Sequence, residues 1–410
     1  MGLLLLGFAI GQALSQVPGY GTPNYTVTYT MNRSTVIMPC NYTGFIDPAN
    51  VAPFGGLIDV DWSNAKQQWT KHQPMDDESM LMEQLRRLKA GDPERKLWVY
   101  RGTIYAYPWY AETRRILDDP AYAPWFLHFR PGSGNNTVSP KCDVSIGKCT
   151  EYYHSQEQTP MYPNGPVDRG VCAPPGCDCG TKPCGFYMYN HSAAEVTVKG
   201  QTLREWLIES YVFANSDGID GYYFDDYWND RRHPVTEDYA KGMVEDVGLS
   251  EQQLHDITVA YNATIMELYK RTLARGKIAW QMCYGGSVFE THAQKVTKKN
   301  CAASLRRHCA ADSPTQTRAY LAAPRSSTMQ TVQDLVNFLL IRGPYAWFGY
   351  GWRGCGARYA YDKELLDADY GEPTELCAET AVGSGVFRRA WTKALVEMDC
   401  NNWKARIRWT

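Results

Sequence analysis

Nowhere in the 410 residues is there an unbroken apolar run of the length, about eighteen residues, that a membrane-spanning helix requires. That excludes a helical membrane anchor within this sequence. Charge of one sign is also missing: 42 Lys and Arg stand against 44 Asp and Glu, spread along the chain, for a net charge of −2. A domain that binds nucleic acid or an anionic membrane needs a basic excess, so neither partner is expected. There is no Gly-x-Ser-x-Gly elbow, no phosphate-binding Walker loop and no His-Glu-x-x-His pair. These absences argue against a serine hydrolase of the elbow type, a P-loop nucleotidase and a zinc peptidase. Gly349-Tyr350-Gly351-Trp352-Arg353-Gly354 fits a dinucleotide template by spacing, but it falls late in the chain and lacks the ribose-binding acid of a first βαβ unit, so no nucleotide cofactor is expected.

Aromatic residues, by contrast, make up 13% of the chain, more than a core of this size needs, so some of them are expected on binding surfaces. Thirteen cysteines and the sequons beginning at Asn24, Asn32, Asn41, Asn135, Asn190 and Asn262 suit an exported glycoprotein. The apolar run Leu3 to Ile10, followed by Ala13-Leu14-Ser15, reads as a secretory signal over residues 1–15, although its only positive charge is the α-amino group. Residues 16–54 then form a glycosylated N-terminal segment. Cys172, Cys177, Cys179 and Cys184 crowd a Pro/Gly-rich stretch, and in an oxidising compartment they are expected as metal-free disulfides and not as a zinc knot. Cys142 and Cys149 belong to the same stapled insertion, about 131–184. Cys301 with Cys309, and Cys355 with Cys377, are candidates for local loop closure. The odd count leaves one thiol over, for which Cys283 is the candidate.

From residue 55 to the end, strand-like and helix-like segments alternate. Strands are expected at 56–62, 96–101, 185–189, 218–225, 277–283, 318–322, 345–350 and 393–398. Helices fall between them: one opens at Asp76-Asp77-Glu78 and buries Leu81, Leu85 and Leu88, and another starts at the Ser250/Gln253 capping box. About eight strands separated by amphipathic helices predict a (β/α)8 barrel spanning 55–410, with the Cys-rich insertion after strand two. A doubly wound open sheet is the alternative.

The most informative stretch is Asp220-Gly221-Tyr222-Tyr223-Phe224-Asp225-Asp226-Tyr227-Trp228, an aromatic strand running straight into two carboxylates. In a parallel barrel the carboxyl ends of the strands form the functional face, so acids there read as chemistry. The competing reading is a solvated Asp-Asp turn. This motif, with Asp369-Tyr370-Gly371-Glu372-Pro373 and Gly385 to Trp391 near the end of the chain, resembles glycoside-hydrolase families built on TIM barrels. The resemblance covers roughly residues 55–400, and the Cys-rich insertion departs from it. It implies a secreted enzyme acting on a glycan or polysaccharide.

Glycoside hydrolysis needs two carboxyl groups, one ionised and one held protonated. Asp225 is the first choice for nucleophile or base, with Asp226 as an orienting neighbour. Glu372 is the favoured second carboxyl and Asp61 the runner-up. Aromatic platforms that take the C–H faces of sugars are sought in Trp62, Trp109, Trp228, Trp280, Tyr350 and Trp352, and polar contacts in Arg101 and His191. A divalent cation held by Asp220, Asp225 and Asp226 is an alternative use of the same acids, although no metal is expected. A barrel that binds carbohydrate without cleaving it is the alternative function.

Overall fold

A computed structural model describes residues 29, 35–37, 40–52, 56–131, 140–143, 147–155, 178–225, 242–281, 296–310, 331–342, 348 and 362–410. Its centre is a five-stranded sheet made of β1 (Thr35–Ile37), β2 (Leu57–Val60), β3 (Lys96–Gly102), β4 (Gly221–Asp225) and β5 (Ile278–Gln281). The strands lie in sequence order and every neighbouring pair is parallel. A doubly wound sheet reverses its order at a switch point. This order does not reverse, so the described strands form a singly wound arc.

Registers align the strand ends. Val60 pairs with Val99, Phe224 with Arg101, Asp225 with Gly102 and Phe224 with Gln281, so all four carboxyl ends reach one edge of the sheet. Alternation then divides the sheet into two faces. Asp59, Trp98, Tyr100 and Tyr223 share one, and the Tyr100 and Tyr223 rings meet at 5.9 Å. Ile58, Val60, Leu97, Val99, Arg101, Tyr222 and Phe224 share the other, which faces the helices.

Those helices form where the sequence pattern asks for them. In α1 (Asp77–Gly91), Asp76 caps the start by accepting from the Ser79 amide at 3.1 Å, and Leu81, Leu85 and Leu88 make a buried stripe at helical spacing. α2 (Ala111–Asp118) follows, and residues 203–212 continue as a short α-turn that widens into π-helical turns at Trp206–Val212. α3 (Glu251–Ala274) begins at the expected capping box, with both reciprocal bonds of Ser250 and Gln253 formed, and its chain leaves through Gly276 at φ +70°.

Several expectations need correcting. β1 lies upstream of the expected first strand and pairs with it, so the sheet begins inside what reads as an N-terminal tail. Phe186–Met188 does form a strand, but in a small antiparallel sheet with Tyr105–Ala106 and His154–Ser155; β3 pairs directly with β4 without it. The expected last strand is also antiparallel. It is the third member of a C-terminal sheet of β6 (Ala378–Glu379), β7 (Val386–Ala390), β8 (Ala394–Asp399) and β9 (Lys404–Trp409). Among the described residues no closed barrel is formed, and the strands expected at 318–322 and 345–350 lie outside them, apart from Phe348.

The C-terminal sheet has its own apolar core, shared with α4 (Cys301–Ala310) and α5 (Thr331–Ile341). Arg389 on β7 reaches across it and donates to the carbonyls of Leu339, Leu340 and Arg342, satisfying the open end of α5. Two disulfides, Cys301–Cys400 and Cys309–Cys377, tie α4 to the far side of β8 and the near side of β6. They replace the expected pairing of Cys301 with Cys309 and of Cys355 with Cys377: spacing in sequence gives no account of the sheet that carries two of the partners. Cys142–Cys149 and Cys179–Cys184 staple the insertion locally, and Cys40 is also disulfide-bonded. Cys172, Cys177, Cys283 and Cys355 lie outside the described residues. No described helix is long and apolar enough to cross a membrane.

Candidate functional site at the carboxyl edge of the parallel sheet

Asp61 is the first residue after β2, so it stands on the edge where the parallel strands end. It is 3% exposed. Its carboxylate accepts from the Ser63 amide at 2.7 Å and from the Ser63 hydroxyl. Burial outweighs those bonds and the Lys66 ammonium, and pushes its pKa up to about 6. The site thus holds a carboxyl that titrates close to neutrality, the property that a general acid requires.

Trp62 follows at once and is half-buried. It stacks on Trp109 with ring centroids 5.0 Å apart and on Tyr107 at 5.8 Å, with the Lys66 ammonium 5.3 Å from its ring. Trp109 is wholly buried and so forms the underlay of the stack, while Trp62 keeps an accessible surface. Tyr107 bonds to Tyr100 hydroxyl to hydroxyl at 2.8 Å, which fastens the aromatic stack to the centre of the sheet. Gly102 makes that approach possible: a Cβ there would lie 2.5 Å from the Tyr107 ring.

Asp225 closes β4 at the register position beside Gly102, so β3 alone separates the Asp61 and Asp225 strands. Asp226, Trp228, Tyr350 and Trp352 lie outside the described residues. Trp280 is placed by its backbone, opposite Tyr223. Glu372 sits elsewhere, on an exposed turn of the C-terminal region where its amide donates to the Thr392 hydroxyl and its carbonyl accepts from the Thr392 amide.

Three other candidates are engaged by protein partners away from the Asp61 and Trp62 surface. Arg101 lies on the helix-facing side of β3, 1% exposed, paired with Glu78 of α1 at 3.4 Å and flanked by the Tyr110 and Tyr211 rings. The alternation that sends Tyr100 to one face sends Arg101 to the other. His191 is fully buried, its Nε2 is 2.9 Å from the Thr103 carbonyl, and its ring packs edge-on to Tyr261 of α3 at 5.0 Å. Burial lowers its pKa to about 4, so it stays neutral in the core. Asp220 binds Lys89 and the Leu97 amide at the opposite end of β4. Five residues of strand, about 16 Å, separate it from Asp225, so the two do not share a cation.

One buried acid lies outside the candidates that the sequence offers. Asp77, the first residue of α1, is fully buried, and neither carboxylate oxygen has a hydrogen-bond partner among the described residues. Burial first, and then the nearby Asp61 charge, hold it protonated well above the usual carboxylate range. The signal was present in the sequence: Asp77 is four residues before Leu81 and eight before Leu85, on the apolar stripe of its helix.

No protein-family model matches the chain, and no curated protein matches its sequence. Among solved structures, a debranching enzyme of Nostoc punctiforme soaked with acarbose is similar over 93% of this chain and 91% of its own, at 11% identity and a TM-score of 0.44. A cyclic α-maltosyl-(1→6)-maltose hydrolase from Arthrobacter globiformis is similar over 92% of both chains, at 12% identity and a TM-score of 0.40. A maltogenic amylase from S. marinus covers 92% of this chain with 66% of its own, at 9% identity and a TM-score of 0.42. Likeness at this level fixes neither the fold nor the activity.

Proposed function

We propose that this chain is an exported glycosidase whose parallel sheet closes into a (β/α)8 barrel and whose site uses Asp61 as general acid and Asp225 as its ionised partner. The observation that carries the reading is the shared edge: a buried carboxyl with a pKa of about 6 and a half-exposed Trp62 stand where β2 ends, and the aromatic strand β4 ends in Asp225 on the same edge. Sugars present apolar C–H faces to stacked rings and need an acid beside them to protonate the leaving oxygen. The unreversed order of five parallel strands supports the barrel. Disulfides at Cys40 and in four further pairs support an oxidising compartment.

The spacing favours an inverting enzyme. Strands that share one neighbour lie about 9.5 Å apart. The register sets Asp225 level with Gly102 and Val60 level with Val99, so Asp61 lies about two residues back along the edge. A wide pair that leaves room for water suits these positions better than the roughly 5 Å of a retaining pair. Asp225 then activates that water, Asp226 orients it or a sugar hydroxyl, and Trp62 supports the ring.

Hydrolysis of a glycan panel by the purified protein tests the reading. Asp225→Asn keeps the volume and removes the charge, so turnover is expected to drop about 10³-fold or more while folding survives. Asp61→Asn is expected to be nearly as damaging, and Glu372→Gln close to neutral. Full activity in Asp225→Asn, or loss of activity in Glu372→Gln with Asp61→Asn active, overturns these roles. Retained glycan binding with no cleavage of any substrate leaves a carbohydrate-binding barrel instead.

A further inference from the structure

We propose that the Cys142–Cys149 bridge is a thiol-exchange site, opened and re-formed by a Cys-x-x-Cys dithiol protein while the other described bridges stay closed. The inference is independent of what the candidate site cleaves. It starts from where a hairpin puts its two cysteines. Strands Lys141–Asp143 and Lys148–Thr150 pair antiparallel, with Cys142 directly opposite Cys149 and Lys141 opposite Thr150. Alternation sends Lys141 and Thr150 to one face and both cysteines to the other. The first face is the inner one: Thr150 is buried, and the Lys141 ammonium lies 5.4 Å from the centre of the Phe129 ring. The disulfide therefore points away from the body, and both of its cysteines are exposed.

The other described bridges are placed differently. Cys179, Cys184, Cys301, Cys377 and Cys400 are all buried, and Cys309 is half-buried. Exchange begins when a thiolate attacks one sulfur of the bridge and expels the other as a thiolate. Burial hinders both parts of that step. It blocks the approach, and it leaves the expelled thiolate without water, which raises its pKa and slows its departure. At Cys309–Cys377 a nucleophile reaches Cys309 in part, but the group to be expelled, Cys377, is buried. At Cys142–Cys149 either sulfur is open to attack and either leaves into water.

The exchange balances without a further oxidant or reductant. The first thiolate of the dithiol protein forms an S–S bond to one cysteine while the Cys142–Cys149 bond breaks, and the expelled thiolate takes up a proton. The second thiol of the motif then displaces the mixed disulfide. Two protons and two electrons have passed to Cys142 and Cys149, and the Cys-x-x-Cys pair is left as a disulfide. Opening this bridge removes little chain restraint, because its cysteines are 7 residues apart, against 99 and 68 for the two bridges of α4. The hairpin also keeps two other ties to the body: Lys148 donates to the Gly180 carbonyl, and Lys141 remains over Phe129. Both thiols thus stay on facing strands, placed to close again.

The experiment uses the oxidised full chain under native conditions, with reduced thioredoxin as the probe. Samples are quenched over time, freed thiols are alkylated, and the labelled cysteines are read by mass spectrometry. Cys142 and Cys149 are expected to be labelled at least about tenfold faster than Cys179 and Cys184, Cys301 and Cys400, or Cys309 and Cys377. Equal, slower or absent labelling of the Cys142–Cys149 pair overturns the proposal, as does finding the two as free thiols before thioredoxin is added. Circular dichroism should be unchanged once this pair is reduced; unfolding at that point shows that the bridge does not open alone and rejects the site. A thioredoxin with its second cysteine replaced by Ser should stay attached through Cys142 or Cys149, and attachment through any of the other six cysteines instead counts against the proposal. Removal of the reductant and addition of oxidised glutathione should re-form Cys142–Cys149, whereas pairing of either residue with a different cysteine refutes reversible exchange.

Discussion

Replacing Asp61 by Asn should make the protein more stable and less active, and the gain should appear only as pH rises. An ordinary Asp ionises near 3.9, whereas burial raises Asp61 to about 6 in the folded protein. Between those values the native state binds more protons than the unfolded chain, so stability falls as pH increases through the interval. A shift of about two units corresponds to about 3 kcal/mol, present as a penalty above pH 6 and absent below pH 4. Asn is neutral throughout and keeps an oxygen to accept from the Ser63 amide and hydroxyl. Urea unfolding of both proteins at half-unit steps from pH 4 to 8 should show near-equal stability at pH 4 and a widening advantage of the variant, up to about 3 kcal/mol by pH 7. Glu78 is raised by burial and tilts both curves alike, whereas Asp77 is raised by burial and in part by the Asp61 charge, so the difference between the curves reports Asp61 together with its effect on Asp77. A constant difference across the range, or a variant less stable at pH 8, refutes the claim that Asp61 is buried against its own charge.

Other outcomes follow from the same geometry. Activity on a cleaved glycan should be highest on the acidic side and fall as Asp61 ionises around pH 6, which a pH–rate profile reads directly. Gly102→Ala puts a methyl group 2.5 Å from the Tyr107 ring and should cost about 1–3 kcal/mol in thermal or urea unfolding, together with loss of the Tyr100–Tyr107 contact. Trp62→Ala should raise KM more than it lowers kcat, since the ring supports substrate without touching the proton transfer, while stability changes less than for Trp109→Ala beneath it. Replacing Cys301 and Cys400 together opens a 99-residue loop and should cost about 4–5 kcal/mol, measured by unfolding with the other disulfides intact.

What the sequence shows well is local. The Leu81, Leu85 and Leu88 stripe, the Ser250/Gln253 box and the aromatic strand before Asp225 each carry their period or cap within a few residues, and each formed near its expected place. Pairing is a long-range property and was legible only in part. Phe186–Met188 and Ala394–Asp399 have the same β-branched and aromatic character whether their partner runs parallel or antiparallel, so their sheets had to be seen. The face of Arg101 depends on which side of β3 the helices cover, and residue type does not encode that. Asp61 and Trp62 were legible as strand-end residues. The burial of Asp77 beside the Trp109 segment was not, because the bond from its amide to the Trp109 carbonyl depends on a loop that brings a helix start back to that segment.

The two bridges from α4 to the C-terminal sheet set a schedule for biosynthesis. Cys301 leaves the ribosome 99 residues ahead of Cys400, and Cys309 emerges 68 residues ahead of Cys377. At about 5–20 residues per second, Cys301 waits about 5–20 s with a free thiol before its partner exists. During that interval the thiols of the upstream insertion are already present and available for exchange. Oxidative maturation of this half of the chain therefore cannot proceed from the N-terminus onward, and a truncated product ending before residue 400 carries an orphaned thiol that marks it as unfinished.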